Sequence, residues 1–227
     1  MNEMKTLTVN DVQYEIVDDV ARTDILRING ELETITGYGL GENTAEAEDL
    51  NDETKCGWKA FTRSCANIPF DYGVVMTMNR YGSQITQIAF NPFMAGKGEI
   101  CIRHQYENTW YPWEYLNPPM LTGVEYRTTE RYNGKPVYRK MISYTNAENI
   151  GSKSGVANIS VPHNISGFGE LVRVTGRQNG NMLPYITSTG GIASVSSVTS
   201  VNVIIDMLNS EWTSREWTFD IAYTKTS

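Results

Sequence analysis

Near the end of the chain, residues 216–223 read EWTFDIAY, with Trp217, Phe219, Ile221 and Tyr223 at every second position. A helix would scatter these four side chains around its axis, whereas a strand places them on one face. Thr218, Asp220 and Ala222 take the other. The segment therefore predicts a half-buried antiparallel strand with an aromatic core face.

Its neighbours read the same way. VEYRTTERY and KPVYRKMISY flank Asn133-Gly134, a dipeptide that favours the type I′ turn of a two-residue hairpin. Pro136 requires the return strand to start late or to lie at an edge, because proline donates no hydrogen bond to a ladder. ELVRVTG (170–176) and SVNVIID (200–206) supply further strands. Six or seven short strands in this stretch predict an antiparallel β-sandwich over residues 120–227.

The middle of the chain, residues 55–119, predicts a smaller sheet lobe. GVVMTMN (73–79), QITQIAF (84–90) and EICIR (99–103) are apolar runs separated by Tyr81-Gly82-Ser83 and Ala95-Gly96-Lys97-Gly98, clusters that form turns. An aromatic stretch, NTWYPWEYLNPPM (108–120), closes it. Pro118-Pro119 cannot continue a central strand and marks a boundary.

Residues 1–54 are different in charge. They carry 14 acids against Lys5, Arg22 and Arg27, a net of −11, while the rest of the chain has a net of +4. Such a contrast indicates a separate module. KTLTVNDVQYEIV (5–17) predicts a hairpin around Asn10-Asp11. DDVARTDILR (18–27) has helical spacing, with Asp18 or Asp19 as cap and Val20, Ile25 and Leu26 near one face. Residues 28–43 are punctuated by glycine and read as linker or short strands. Asn43 with Glu46 predicts a capping box for a short acidic helix ending near Leu50.

The chemistry of the chain is defined largely by what it lacks. A net charge of −7 disfavours binding to nucleic acid phosphates. No apolar run approaches the ~20 residues of a membrane-spanning helix, so no membrane insertion is expected. The N-terminal stretch is neither basic nor followed by an apolar run, unlike a secretory signal. Cys56, Cys65 and Cys101 form no C-x-x-C pair and read as free thiols rather than as metal ligands or a disulfide framework. No nucleophile, Walker or zinc-protease motif is present. Gly37-Tyr38-Gly39-Leu40-Gly41 lacks a following lysine and lies in the acidic segment, which suits a linker rather than a phosphate loop. His163 is read as a structural histidine, since no acid or nucleophile is spaced to form a triad with it. Glu99, Glu107, Glu114 and Glu125 are carboxylates that no pattern singles out for glycan hydrolysis. The N-I-S triplets at Asn158 and Asn164 match a glycosylation pattern by chance. The expectation is a protein with no catalytic residues, no metal and no cofactor.

One cluster stands out. Tyr106, Trp110, Tyr111, Trp113 and Tyr115 fall within ten residues. Aromatic faces stack on the C–H surfaces of sugars, and a glycan site combines such a platform with a few polar groups. Arg80 and Arg103 are the candidate cationic donors for acidic glycans. The competing reading places Trp110 and Trp113 in the core of the small sheet. Tyr111, of opposite parity, is then the surface residue.

The stretch YGVVMTMNRYGSQITQIAFNP…GEICIRHQYENTWYPWEYLN resembles the knob domain of phage tail fibres and R-type pyocin fibres. The pattern is carried by Tyr72-Gly73, Gln84 with Gln87-Ile88-Ala89, Ile100 to Arg103, and Trp110 with Trp113. GVEYRTTERYNGKPVYRK and the terminal IAYTKTS are similar to C-terminal modules of (pro)phage tail and receptor-binding proteins of gut Firmicutes. TLTVNDVQYEIVDDVAR resembles the attachment segment at the N-terminus of those proteins. The resemblance implies a structural protein of the virion tail, assembled in the host bacterial cytoplasm. It further implies a homo-oligomer, expected as a trimer, that contacts other tail or baseplate proteins and bacterial surface glycans. It carries over no catalytic residues.

These readings combine into a mainly β protein with three parts. Residues 1–54 form an acidic attachment and oligomerisation segment with a short helix, residues 55–119 a pyocin-knob-like domain, and residues 120–227 a β-sandwich. The expected function is adhesion to a bacterial surface. The alternatives are a carbohydrate-binding module with no virion role and a tail-associated glycan depolymerase.

Overall fold

The computed structural model describes residues 6–9, 12–15, 26–33, 45–92, 98–146, 151–178, 180–186, 192–212 and 215–226. The protein is mainly β. In chain order the strands are β1 (Thr6–Val9), β2 (Val12–Glu15), β3 (Gly57–Phe61), β4 (Gly73–Arg80), β5 (Gln84–Phe90), β6 (Ile100–Tyr106), β7 (Thr109–Trp110) and β8 (Glu114–Tyr115), then β9 (Glu125–Tyr132), β10 (Lys135–Asn146), β11 (Gly151–Pro162), β12 (Phe168–Gln178), β13 (Asn181–Met182), β14 (Tyr185–Ile186), β15 (Ile192–Val198), β16 (Asn202–Trp212) and β17 (Arg215–Lys225). A helix, α1, covers residues 26–33.

Eleven strands form one mixed sheet in the order β13-β12-β17-β10-β9-β8-β6-β5-β4-β3, with β7 alongside β6. A second sheet runs β11-β16-β15-β14, and β1 pairs with β2. The large sheet changes character at β8 and β9, which meet in parallel at Tyr115 and Thr128. On one side lies the central lobe, β3 to β8. On the other, β9, β10, β17, β12 and β13 pack on the second sheet as a sandwich.

The sandwich core follows the alternation in β17. Trp217, Phe219, Ile221 and Tyr223 are buried, packed against Ile142 of β10, Val161 of β11, and Val203 and Ile205 of β16. Burying each such side chain contributes roughly 1.5–3 kcal/mol. The rings of Trp217 and Phe219 lie nearly parallel, 6.4 Å apart, and Phe168 stacks on Tyr223 at 5.4 Å. Ala222 sits on the opposite face yet is also buried. Its cross-strand neighbours are Arg139 and Arg173, whose long stems shield a small side chain between them.

Asn133 and Gly134 both adopt positive φ, 50° and 76°, as a type I′ turn requires. β10 begins at Lys135, and Pro136 is accommodated by a register shift between Pro136 and Tyr138. Pairing with β17 starts only at Tyr138, so the missing N–H of Pro136 is not needed there.

The N-terminal hairpin is present, with Val9 opposite Val12. The segment expected as a helix, 18–27, lies outside the described residues apart from its last two positions. α1 instead extends through 28–33, where the glycine punctuation predicts linker or short strands; Gly30 is helical. All of its residues are exposed, including Leu26, Ile28 and Leu32.

The acidic helix expected up to Leu50 does not form. Residues 45–50 run beside β3 and the loop after it, with parallel bridges from Glu46 to Ala60 and from Asp49 to Ala66. The backbone N–H groups of Ala47 and Leu50 donate to Ala60 and Ala66. Both side chains join Phe61, Cys65, Val75, Ala89 and Cys101 in the core of the central lobe. Tertiary burial of these two apolar residues outweighs a weak local capping signal.

Candidate attachment surface on the central lobe

Alternation along β4, β5 and β6 sets the inner face of the central sheet. Val75, Ala89 and Cys101 stand abreast as an apolar rung, and Thr77, Gln87 and Arg103 as a polar one. All six are buried. Buried polar groups must find partners, and Gln87 is the hub of this rung. Its Nε2 donates to the backbone oxygens of Leu50 (2.8 Å) and Glu53 (3.0 Å), and its Oε1 accepts from Arg103 Nε at 2.8 Å. Gln87 thereby holds residues 50–53 across the sheet.

Arg103, only 4% exposed, lies against two indoles. Its guanidinium carbon is 4.1 Å from the ring centre of Trp110 and 4.4 Å from that of Trp113. Each indole is fixed at its N–H: Trp110 Nε1 donates to Asn51 O (3.3 Å) and Trp113 Nε1 to Asn67 O (2.8 Å). Asp49 ties the two acceptor loops together, its Oδ1 accepting from Asn51 N and Asn67 Nδ2. Burial pulls the Arg103 guanidinium down to about 10, partly opposed by the field of Asp49. It stays charged at neutral pH. Its Nη2 is buried without a hydrogen-bond partner, so the ring faces compensate part of its lost hydration.

Gly73, the first residue of β4, lies between β3 and β5. A Cβ there would lie 2.4 Å from the Phe61 ring, 2.6 Å from the Phe70 ring and 2.6 Å from Phe90 O. Only a bare Cα fits between two aromatic rings and a neighbouring strand.

The sequence-predicted site residues thus separate into two groups. Arg103, Trp110 and Trp113 form one stacked unit, with Arg103 inside and both indoles half-buried. Tyr111, between the indoles in sequence, is 50% exposed, with its backbone N–H bonded to His104 O. Arg80 stands apart from the stack, paired across β5 with Gln84 rather than Gln87. It is exposed and covers the ring of Tyr81 at 5.1 Å. Tyr81 is 85% exposed, and Tyr106 is also exposed. The turns bearing Tyr81 and Tyr106 are joined by Glu107 N donating to Ser83 O. Sequence reasoning used Tyr81 only as a turn signal; its exposure follows from its left-handed φ of 56° at the tip of the β4–β5 hairpin.

The other polar candidates are structurally engaged. His163 is buried, its Nδ1 accepting from Ile165 N and its Nε2 donating to Thr199 O, each at 3.1 Å. Glu99 accepts from Asn91 Nδ2, Glu114 pairs with Arg127 and Arg131, and Glu125 accepts from Tyr223 and Lys225. Cys65 and Cys101 are buried and Cys56 exposed, all as free thiols. Among the described residues no group of three His, Cys, Asp or Glu side chains is placed to hold a metal ion.

No protein-family model matches the chain. No curated protein sequence matches it either. Among solved structures it is distantly similar to the P. aeruginosa R1 pyocin fibre comprising C-terminal residues 323–701, with 11% identity and a TM-score of 0.29. That likeness covers 82% of this chain and 68% of the fibre chain. An N-truncated R2-type pyocin tail fibre is similar at 12% identity and a TM-score of 0.28, over 78% of this chain and 95% of the other.

Proposed function

We propose that this protein is a tail-fibre-type attachment protein of a phage or phage-derived particle, binding bacterial surface glycans without breaking bonds. The supporting observation is the unit built by Gln87, Arg103, Trp110 and Trp113. These residues carry the knob resemblance and are scattered over 27 positions of sequence, yet they form one hydrogen-bonded stack. A pattern whose members depend on one another physically is a better indicator than matching letters alone.

In this reading the stack is a foundation, and Arg103 is a positioning residue. It holds the two indoles, which keep Tyr111 outward between them. Tyr111, the accessible parts of Trp110 and Trp113, and Arg80 with Tyr81 contact the glycan. Residues 1–54 and 120–227 serve as attachment segment and distal sandwich. The working form is a multi-copy assembly, taken as a trimer, in which weak single contacts become tight attachment.

The test is binding of fluorescently labelled protein to a panel of intact Firmicutes cells. Wild type should decorate cells of at least one strain, and Tyr111→Ala with Arg80→Ala should reduce this at least tenfold at unchanged thermal stability. Failure to decorate any strain overturns attachment. Release of reducing ends from wall polysaccharide, abolished by a single Glu→Gln change, supports the depolymerase instead.

A further inference from the structure

The outward face of the sandwich's larger sheet carries a groove of about 300 Å³ lined by Met141, Thr175, Arg177, Met182, Thr218 and Asp220, with Phe219 beneath. Strand register builds it. Met141, Asp220 and Thr175 stand abreast on β10, β17 and β12; Thr218, Arg177 and Met182 form the adjoining outward rung on β17, β12 and β13. The volume lies at the low end of small-molecule sites. β13 forms one wall, and its Met182 is 51% exposed.

The charges in the groove are unequal. Asp220 is ion-paired with Arg139 through Nε and Nη2. Arg173, on the rung beyond, pairs with Glu130 at 3.3 Å. Glu216, the next outward residue of β17, has interactions of its own. Arg177 is exposed, and among the described residues no carboxylate pairs with it. Among the described residues the groove therefore offers one guanidinium with no carboxylate partner, beside two threonine hydroxyls and between two methionines.

We infer that this groove is a second ligand site, specific for an anionic saccharide. The methionines suit the C–H face of a sugar ring, since thioether side chains adapt to irregular apolar surfaces. Thr175, Thr218 and the free lone pairs of Asp220 suit hydroxyls. Arg177 suits a planar carboxylate or a phosphate, which it binds through two parallel hydrogen bonds. A neutral glycan would leave that charge unmatched. A nucleic acid is disfavoured, since the groove presents a single arginine on a chain of net charge −7. The inference rests on the attachment reading, and it places specificity for negative charge on the sandwich rather than on the central lobe.

The experiment uses the full-length chain and isothermal titration calorimetry at low salt. Three probes separate the sources of charge: an oligogalacturonate (carboxylate), a poly(glycerol phosphate) (phosphate) and maltohexaose (neutral). At least one acidic probe should bind ten times or more tighter than maltohexaose. Arg177→Gln should lower that affinity at least tenfold with no change in melting temperature, and Arg177→Lys should fall between. The preferred acidic probe identifies the source. Equal binding of maltohexaose, full affinity in Arg177→Gln, or no binding of either acidic probe overturns the groove site. Cell decoration is measured in parallel. If cells are decorated while the acidic probes fail, the groove inference falls and the attachment reading stands. If the probes bind through Arg177 but no cells are decorated, the groove stands as a site and attachment falls.

Discussion

Glu114, on the last strand of the central lobe, is gripped by Arg131 of the next strand through both carboxylate oxygens, each 2.8 Å from Nη2. Arg127 adds a second contact at 2.9 Å. The ladder between β8 and β9 holds only the Tyr115–Thr128 pair, so this cluster is the main polar tie between lobes. Glu114 is buried, whereas both arginines retain some exposure. Breaking a fully buried pair costs about 3–5 kcal/mol; with arginines that can rehydrate, Glu114→Gln should cost about 2 kcal/mol in urea unfolding. Arg173→Ala, which breaks the exposed pair with Glu130, should change stability by less than about 0.5 kcal/mol. Equal effects from the two variants would remove any special role for Glu114.

The aromatic stretch should divide cleanly into support and surface. Trp113 packs on the central core, holds Asn67 and stacks on Arg103. Trp113→Ala should cost about 2–3 kcal/mol, below the range for fully buried aromatics because the ring is half-buried. Tyr111→Ala, at an exposed site, should stay within about 0.5 kcal/mol of wild type. Chemical denaturation of the two proteins side by side is the check, and a large loss for Tyr111→Ala would place that ring in the core.

Much of the fold was legible because strand alternation is a local signal. β17 and the central strands β4 to β6 fall where their apolar periods place them, and Asn133-Gly134 turns as its φ values demand. Residues 45–54 were not legible as core, since a segment with isolated bridges has no period to read. β11, GSKSGVANISVP, is polar and glycine-broken over its first five residues and alternates only from Ala157 to Val161, a signal too short to mark a twelve-residue strand. In the candidate site, the aromatics announced themselves, but the depth of Arg103 did not. It depends on Gln87, sixteen residues earlier, and on indole positions that only the folded loops define. Glu114 looked like any of four glutamates because its partners lie thirteen and seventeen residues downstream.

Gly73 offers a sharp packing test. The atoms closest to a new Cβ include two ring carbons and a strand carbonyl, none of which is the end of a flexible chain. Gly73→Ala should destabilise by about 2–3 kcal/mol through overpacking. Gly134→Ala meets no atom within 4 Å but sits at φ +76°, so it should cost about 1 kcal/mol through backbone strain alone. A near-neutral Gly73→Ala in thermal unfolding would mean that Phe61 and Phe70 have room to move aside.

Cysteine chemistry should follow burial. Native protein should react with one equivalent of an aromatic disulfide reagent, at Cys56, and with three after denaturation. Burial, aided by Glu99, pushes the Cys101 thiol up to about 12, although a hydrogen bond with Tyr115 opposes the rise. Burial also raises the phenols of Tyr115 and Tyr223. A folded pKa above the unfolded one means the native state keeps a proton the unfolded chain has lost. Stability from these groups is therefore complete below about pH 9 and declines as pH rises toward 12. Each such group raises the unfolding constant by about tenfold per pH unit within its window. Cys101→Ala should reduce the decline that begins near pH 9, leaving the contribution of Cys65, whose thiol burial also raises, and that of the tyrosines above about pH 10. An unchanged slope in that variant would show that Cys101 ionises as readily folded as unfolded.

The exposed helix is the test of assembly. α1 presents Leu26, Ile28 and Leu32 at 67%, 54% and 56% exposure, with an ion pair from Arg27 to Glu31 along its side. Helices this short are marginal alone in water and gain most of their stability from packing an apolar stripe. Ile28 and Leu32, four residues apart, lie on one stripe, and Leu26 lies away from it. If the chain assembles in several copies, this stripe is the face expected to meet its own copies across the symmetry axis. Val20 and Ile25, expected on the inward side, lie outside the described residues. Sedimentation equilibrium at micromolar concentration should then give a species several times 25.5 kDa. Introducing Ile28→Asp together with Leu32→Asp should raise its dissociation constant at least a hundredfold, since two charges per chain would have to be buried unpaired. The sheet content seen by circular dichroism should not change, because all described side chains of α1 are exposed within the single chain. Wild-type protein that sediments only at 25.5 kDa, even at a hundred micromolar, would remove the multivalent basis for attachment.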